Sequence, residues 1–251
     1  MKWILALFPR SVLIWVSIKI RPFLRWWYRG SKFYDPIDGR GYRKFLSYGY
    51  HTMRSNALSP GTLSLERHRL LWLYLERETS LLKQNLRVLH VAPEQAFHQR
   101  FKNFSHWDYT TTDLYSPLAD IKADITALSF AEETFDLIFC NHVLEHIPED
   151  QKALSELYRV LKKGGTAILQ VPLDESRTTT FEDNSITEPK ERTRVFGQYD
   201  HVRVYGQDYY QRLEAAGFQV EANAFFSKIP PEEVKRFSLQ HERIPVGIKK
   251  G

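Results

Sequence analysis

The chain has 251 residues, of which 43% are hydrophobic and 26% charged, and it carries a formal net charge of +5. This composition is typical of a globular protein with one sizeable core, and it excludes a collagen-like, low-complexity or wholly disordered chain. The single cysteine, Cys140, excludes an internal disulfide framework and a multi-thiolate zinc site, which favours a reducing compartment.

The positive charge is concentrated at the N-terminus. Residues 1–34 contain seven basic residues and no acidic residue, which leaves the rest of the chain with a net charge of −2. The same segment holds four of the six tryptophans. A nucleic-acid-binding protein usually spreads its positive charge over the folded domain, so we expect no nucleic-acid partner.

Residues 1–30 predict a basic amphipathic helix that associates with an anionic membrane surface. One arc of this helix carries Arg10, Ser17, Arg21, Arg25 and Arg29, and apolar and aromatic residues cover most of the rest. Such a pattern is typical of an interfacial anchor, and the longest uncharged stretch is far too short to span a bilayer. The alternative is a helix that packs on its own domain or on a second subunit. The proline within the segment is expected to kink or split the helix.

Residues 31–85 predict a connector followed by a helix that covers the next domain. The stretch 31–61 is rich in Gly, Pro, Asp and Ser, which favours turns, and an apolar stripe follows in residues 65–82. Arg67, His68 and Arg69 are candidates for a substrate mouth, although charged residues on a helix are usually only solvated.

Residues 86–171 alternate between short apolar runs and helical patterns. Strands are predicted at 86–92, 107–112 and 135–140, with a short element ending at 125 and a last strand at 166–171. This alternation predicts an α/β fold with a doubly wound, mainly parallel sheet. Such sheets bind ligands at the carboxyl ends of their strands, where several polar residues of this chain cluster.

Ordered motifs in this region resemble those of the class I S-adenosylmethionine-dependent methyltransferases. They are Val88-Leu-His-Val-Ala, Asp113, Ala123-Asp-Ile-Thr-Ala-Leu-Ser-Phe, Phe135-Asp-Leu-Ile-Phe-Cys-Asn-His-Val-Leu-Glu-His and Leu157-Tyr-Arg-Val-Leu-Lys-Lys-Gly-Gly. The resemblance implies a Rossmann-like methyltransferase fold with a seven-stranded sheet, to which the amphipathic helix is an extension. It also implies S-adenosyl-L-methionine as the cofactor and methyl transfer as the activity.

The resemblance assigns cofactor contacts to five residues beyond the first turn. Asp113 is implied as the ligand of the ribose diol, and Asp124 as the acceptor from the adenine amine, with Ile125 beside the ring. Asn141 and His142 are implied at the methionine end. Taken singly, the two aspartates are also compatible with helix caps or loop acids.

The first turn departs from the family pattern because it contains no glycine. His90 takes the place of the usual acid, and Ala92 is small enough to let the backbone approach the cofactor. Glu94 is a candidate for the cofactor ammonium group. The alternative is a degenerate pocket, in which case the chain is a non-catalytic scaffold or binding module.

The segment around residue 201 is the predicted acceptor side. His201 is the candidate general base, with Asp200 and Tyr199 as its catalytic neighbours, because an oxygen acceptor must lose a proton during methylation. Arg203 and His146 are candidate substrate contacts. Adjacent side chains of an extended segment point in opposite directions, so Asp200 is not assured of orienting His201. The alternative for His201 is a structural histidine.

We expect no metal site. Some relatives carry two C-x-x-C pairs ahead of the Ser64-Leu-Glu-Arg-His-Arg stretch, and Asp35/Asp38 and Ser59/Thr62 stand at comparable spacing here. These four oxygen side chains, two of them hydroxyls, are unsuited to a structural zinc site.

The sequence thus predicts a cytoplasmic, peripherally membrane-associated methyltransferase, with O-methylation favoured. The acceptor is expected to be amphipathic, lipid-linked or a small molecule, and the pattern does not define an oligomeric state. The predicted units are the membrane helix 1–30, the connector 31–85, the catalytic domain 86–228 and a peripheral tail 229–251.

Overall fold

The computed structural model of the chain describes residues 10–49 and 52–251, so the first nine residues of the predicted membrane helix lie outside it. The central sheet consists of β5 (Leu86–Val91), β6 (Trp107–Asp113), β7 (Ile121–Lys122), β8 (Phe135–Cys140), β9 (Leu161–Ile168), β12 (Gln219–Asn223) and β13 (Ile244–Ile248). The shorter strands are β1 (Arg29–Asp35), β2 (Arg40–Tyr42), β3 (Leu46–Tyr48), β4 (Arg54–Leu58), β10 (Phe181–Glu182) and β11 (Arg203–Val204). The α-helices are α1 (Arg10–Trp27), α2 (Glu66–Arg77), α3 (Gln95–Lys102), α4 (Asp150–Val160), α5 (Pro189–Phe196), α6 (Tyr209–Ala215) and α7 (Pro231–Phe237). Short 3-10 turns lie at Leu81–Lys83, Leu144–His146 and Phe225–Lys228.

The central sheet confirms the predicted doubly wound, mainly parallel, seven-stranded fold. Its strand order is β12-β13-β9-β8-β5-β6-β7. Strands β5 to β9 pair in parallel, whereas β13 runs antiparallel to both of its neighbours. Because parallel neighbours require crossover connections, the loops that follow β5, β6 and β8 all emerge at one carboxyl edge.

Alternation along the strands creates two apolar layers, one on each face of the sheet. Val88 points into the layer covered by α2 and α3, where Leu70 and Phe97 are fully buried. Leu89 points to the opposite layer, which contains Leu157 of α4 and residues of α6. Both faces of a doubly wound sheet are covered, so its strands form continuous apolar runs.

The N-terminal helix α1 contacts the domain through its polar side. The Ser17 hydroxyl donates to Gln95 at the start of α3 over 3.2 Å, and Arg25 lies 3.5 Å from Asp38. Pro22 lies within the helix and does not split it. Large apolar side chains are exposed on the remaining surface: Val12, Trp15, Val16, Ile18, Ile20, Phe23, Trp26 and Trp27. Among the residues that the structure describes, no helix is long and apolar enough to cross a membrane.

The expectation of mostly turns in residues 31–61 is wrong, because this segment forms two antiparallel hairpins, β1–β2 and β3–β4. Buried aromatic side chains, Tyr42 and Phe45, pack together between the hairpins and give these short strands a core. Asp35 accepts hydrogen bonds from Thr62 at 2.5 Å and from Ser64 at 3.1 Å. The first hairpin is therefore linked to the loop before α2 by polar side chains.

The expectation of a peripheral tail at 229–251 is wrong for residues 244–248. These residues form β13, which inserts between β12 and β9 and buries Ile244 completely. The short Ile-Pro-Val-Gly-Ile run is surrounded by charged residues, so its sequence signal is weak. Long-range pairing decides its place in the sheet, and local composition does not reveal that pairing.

Candidate active site

The glycine-free first turn adopts the backbone conformation that glycine usually provides. Ala92, directly after β5, has a φ of 49°, in the left-handed region. Its amide donates to the Thr112 carbonyl on β6 over 2.8 Å. The chain thus turns sharply at the carboxyl edge with only a methyl group on the turning residue, at a modest cost in backbone strain.

Beneath this turn, buried His90 and partly buried Glu94 form a polar pair. One ring nitrogen of His90 hydrogen-bonds the Glu94 carboxylate, and the other lies 2.7 Å from the Tyr109 hydroxyl. His90 is 0% exposed, so it supports Glu94 from below and does not itself face a ligand. This corrects the prediction of a direct cofactor contact for His90.

The Glu94 carboxylate is the acidic group of the first turn. Asn141 donates to it over 3.4 Å, and His68 of α2 lies 4.0 Å away. Burial alone would raise the pKa of Glu94, but His90 and His68 outweigh burial and lower it to about 2. Glu94 is therefore an ionised carboxylate at the edge of the sheet, as binding of an ammonium group requires.

Asp113 and Asp124 follow neighbouring strands, and the Ala123 amide donates to the Asp113 carbonyl over 3.3 Å. Asp113 Oδ1 accepts hydrogen bonds from the amides of Tyr115 and Ser116, each at 2.6 Å. Asp124 Oδ1 accepts from the Thr126 amide and hydroxyl, both at 2.8 Å. Both acids therefore stabilise their own turns through one oxygen, as the alternative interpretation allows.

The two aspartates differ in burial. Asp113 is partly buried and lines a cavity of about 220 Å³, whereas Asp124 is exposed and does not border that cavity. Ile125, beside Asp124, is buried in the core. The cavity is lined by Asp113, Leu114, Tyr115, Ser116, Ala119 and Lys122. The structure thus places both acids at one edge without joining them in one enclosed cavity.

His142 lies directly after β8, next to Asn141. Its φ is 54°, and its amide donates to the Gln170 carbonyl over 2.7 Å. The ring lies between two carboxylates, Glu145 at 3.4 Å and Glu242 at 3.3 Å. Burial lowers the pKa of His142, but these two carboxylates outweigh burial and raise it. Sequence reasoning missed Glu242 because the C-terminal segment was expected to be peripheral.

On the predicted acceptor side, His201 and His146 lie together. Their ring centroids are 4.7 Å apart in an edge-on arrangement. Asp200 pairs with His146 at 3.3 Å, and not with His201, whose Nδ1 lies 3.2 Å from the Phe196 carbonyl oxygen. Burial lowers the pKa of His201. A neutral imidazole results, which is the form that accepts a proton or binds a metal ion. Tyr199 is 57% exposed.

Arg203 has a structural environment. It is 2% exposed, and its guanidinium donates to the backbone carbonyls of Leu144, Ile147 and Pro148. It also donates to Glu182 over 2.9 Å. Since these contacts use its donors, Arg203 holds the turn that carries His146, and the predicted substrate contact by Arg203 is not supported by this geometry.

Comparison with known sequences identifies one family. The family described as "Methyltransferase domain" matches residues 77–169. That segment runs from the end of α2 through β9 and includes the first turn, Asp113, Asp124 and the turn after β8. The match confirms the resemblance that the ordered motifs indicate.

Two curated relatives match short segments of the chain. A sterol methyltransferase-like protein of Botryococcus braunii is 40% identical over 52 residues, which is 21% of this chain and 13% of that protein. The ubiquinone/menaquinone biosynthesis C-methyltransferase UbiE of Klebsiella pneumoniae is 41% identical over 49 residues, 20% of each chain. The matched segments therefore span only a small part of these relatives.

Among solved structures, the fold is similar to that of the 1,6-didemethyltoxoflavin-N1-methyltransferase of Burkholderia thailandensis. The two chains superpose with a TM-score of 0.50 and 14% sequence identity, over 74% of this chain and 78% of the other. That structure contains S-adenosylhomocysteine and 1,6-didemethyltoxoflavin. At this level of identity, the comparison supports the fold alone.

Proposed function

We infer that this chain is a class I S-adenosylmethionine-dependent methyltransferase that transfers a methyl group from S-adenosyl-L-methionine to an acceptor at a membrane surface. One observation carries the proposal. Three carboxylates and one amide that suit such a donor follow parallel strands at the carboxyl edge of the sheet: Glu94, Asp113, Asp124 and Asn141. All four lie within the segment that matches the methyltransferase family. Ligands of doubly wound sheets bind at this edge.

The side chains at this edge fit the cofactor in their chemistry. Asp113 retains a second carboxylate oxygen for a ribose diol, and exposed Asp124 is available to an adenine amine. The ionised Glu94 suits the ammonium group, while Asn141 is already within hydrogen-bonding range of Glu94. When bound, S-adenosylmethionine supplies an electrophilic methyl group on a sulfonium sulfur.

His201 is the proposed proton acceptor for an oxygen acceptor group. On methylation of an acceptor hydroxyl, Nε2 of His201 would take up the hydroxyl proton, and bound S-adenosylmethionine would supply the methyl group. The neutral ring supports this role. Because Nδ1 lies against the Phe196 carbonyl oxygen, Nε2 is the ring nitrogen that remains to accept a proton. Positioning of the acceptor and exclusion of water supply the rest of the rate enhancement.

The exposed surface of α1 supports membrane association. Its hydrogen bond and its ion pair with the domain use Ser17 and Arg25, and its tryptophan side chains are more than half exposed, Trp26 at 69%. Burying such an apolar surface in the headgroup region is favourable by about 25 cal/mol per Å². Next to Trp26 lies a groove of about 710 Å³ that three arginines line, Arg25, Arg29 and Arg40. Arginines beside a membrane-facing apolar surface favour binding to anionic lipids.

The position of α1 links the membrane to the active site. The bond from Ser17 to Gln95 places the helix against the start of α3, one residue after Glu94. A lipid-linked or amphipathic acceptor would therefore reach the sheet edge from the membrane side. Two of the curated relatives that match are named for sterols and for ubiquinone and menaquinone, which are apolar lipids. These names support the lipid class without defining the acceptor.

Methyl transfer from isotopically labelled S-adenosylmethionine tests the proposal. The full chain is incubated with vesicles of a total membrane lipid extract, and label is measured in the organic and aqueous phases. We expect label in the organic phase with wild type and none with Asp113→Ala. Asp108→Ala, on the exposed start of the same strand, is the matched control and should label normally. Binding of S-adenosylhomocysteine without label in either phase would favour the non-catalytic binding module.

A further inference from the structure

Three side chains on the acceptor side have ligand atoms close together. Glu145, His146 and His201 each offer one such atom, and these three atoms lie within 4.8 Å of one another. Two of the residues come from the turn after β8, and the third comes from the segment before β11. The cluster therefore joins two parts of the chain that are distant in sequence.

The outer hydrogen bonds of the two histidines are those of oriented metal ligands. His146 Nδ1 lies 3.3 Å from the Asp200 carboxylate, and His201 Nδ1 lies 3.2 Å from the Phe196 carbonyl oxygen. Each contact fixes the ring and leaves Nε2 as the remaining nitrogen. Metal-binding histidines almost always use one ring nitrogen for a carboxylate or backbone carbonyl in this way.

Glu145 provides an independent observation. The residue is 2% exposed, and its Oε1 lies 3.4 Å from His142. Its Oε2 is buried without a hydrogen-bond partner in the described structure. A buried carboxylate oxygen without a partner is costly and rare, and it calls for a ligand that the protein itself does not provide. A cation is the natural partner of this oxygen.

We propose that Glu145, His146 and His201 bind one divalent transition-metal ion through a carboxylate oxygen and two imidazole nitrogens. Two imidazoles favour zinc or cobalt over magnesium or calcium, which prefer all-oxygen sites. Metal–ligand distances of about 2.0–2.2 Å require the three side chains to close slightly around the ion. This departs from the expectation that the chain holds no metal.

The ion would lie beside His142, which follows the strand expected to face the methyl donor. There it would orient an acceptor oxygen and activate it. In the proposed function, His201 alone has that role. Only this use of the ion rests on the proposed function. Binding of the ion itself does not, so the two can fail separately.

Metal titration of the full, tag-free chain tests the site. After removal of metal with a chelator, Co²⁺ is added and followed by its visible absorption, and Zn²⁺ binding is measured by calorimetry. We expect one ion per chain and at least tenfold weaker binding in His201→Ala and Glu145→Gln. Asp200→Asn should weaken binding roughly 10–100-fold, because it removes the partner that orients His146. His241→Ala, an exposed histidine paired with Glu175, is the control and should bind as wild type.

Two outcomes would overturn the metal site. One is the absence of Zn²⁺ and Co²⁺ binding by wild type at micromolar concentrations, and the other is unchanged binding in His201→Ala and Asp200→Asn. Circular dichroism on the same samples shows that the variants are folded, and calorimetry with S-adenosylhomocysteine reports cofactor binding separately. If wild type binds metal but not S-adenosylhomocysteine, the proposed function fails and the metal site stands.

Discussion

His201 presents a neutral imidazole next to His146 on the proposed acceptor side of the site. Because its pKa is lowered by burial, its unprotonated form predominates at neutral pH. We expect His201→Ala to reduce kcat roughly 10²–10⁴-fold, the usual contribution of a positioned general base. The Kd for S-adenosylhomocysteine should be unchanged, since His201 is not among the residues proposed to bind the donor. Steady-state kinetics and calorimetry measure the two quantities.

The matched control is His241→Ala, which removes an exposed imidazole far along the chain and should leave kcat at the wild-type value. An unchanged kcat in His201→Ala would exclude His201 from the reaction. Both roles considered for His201, proton acceptor and metal ligand, predict the loss of turnover. The metal titration separates them.

Glu94 gives the fold a defined dependence on pH. Its pKa is about 2 in the folded protein against an ordinary value of 4.5. An acid with a lowered folded pKa stabilises the fold above its unfolded pKa, and this stabilisation is lost as pH falls. We expect the free energy of unfolding to fall more steeply between pH 4.5 and about 2 in wild type than in Glu94→Gln. Urea unfolding of both proteins across this window measures the difference, and a constant difference would contradict the assignment.

At the residue scale, the sequence predicts where a residue lies in the fold better than it predicts which side chains it contacts. The end of each strand is readable, so Glu94, Asp113 and Asn141 are correctly expected at one edge of the sheet. The burial of His90 under Glu94 depends on Tyr109 from the neighbouring strand. The contacts of Arg203 depend on carbonyls more than fifty residues away. Such long-range contacts leave no local pattern in the sequence.

At the scale of elements, α1 exposes its apolar side and turns its polar side to the domain. We expect the double variant Phe23→Glu, Trp26→Glu to lose binding to vesicles that contain anionic lipid, because two charges replace exposed aromatic rings of α1. Vesicle co-sedimentation measures the effect. Met53→Glu alters an exposed apolar residue outside the helix and should sediment as wild type.

Retained vesicle binding by the double variant would show that α1 does not carry the membrane association. Circular dichroism should be unchanged in that variant, since both side chains lie on the exposed surface. If it aggregates instead, the apolar face packs against protein. That result would favour the alternative of a second subunit.

The helical period of α1 is readable from the sequence, but the face that contacts the domain is not. Arginine-lined faces are usually solvated, whereas here Ser17 and Arg25 make the contacts. The two hairpins before α2 were missed for a related reason. Glycine, proline and aspartate favour turns locally, and the aromatic packing around Tyr42 that stabilises the strands is tertiary.

At the scale of the whole molecule, the C-terminal strand β13 completes the sheet. Ile244 is fully buried between β12 and β9. We expect Ile244→Ala to reduce the free energy of unfolding by about 2–5 kcal/mol, as for other buried isoleucines. Lys250→Ala, beyond the strand, should have little effect. Chemical denaturation measures both, and equal stability of the two variants would contradict a structural role for this segment.

The overall topology was predictable because strands and helices alternate with clear boundaries in residues 86–171. The position of β13 was not, since its pairing joins residues about eighty positions apart, such as Val246 with Ile168. The same strand brings Glu242 to His142. The contact of Glu242 with His142 was therefore not predictable without the position of the C-terminal segment in the sheet.

Equilibrium binding of S-adenosylhomocysteine tests the central claim most directly. The claim is that the carboxyl edge of the sheet holds the methyl donor through the carboxylates that follow its strands. Calorimetry should give one site per chain in wild type and in Asp108→Ala. In Asp113→Ala the Kd should rise at least tenfold, since hydrogen bonds to a charged group contribute about 1.5–3 kcal/mol. No binding by wild type, or equal Kd values for wild type and Asp113→Ala, would contradict the account.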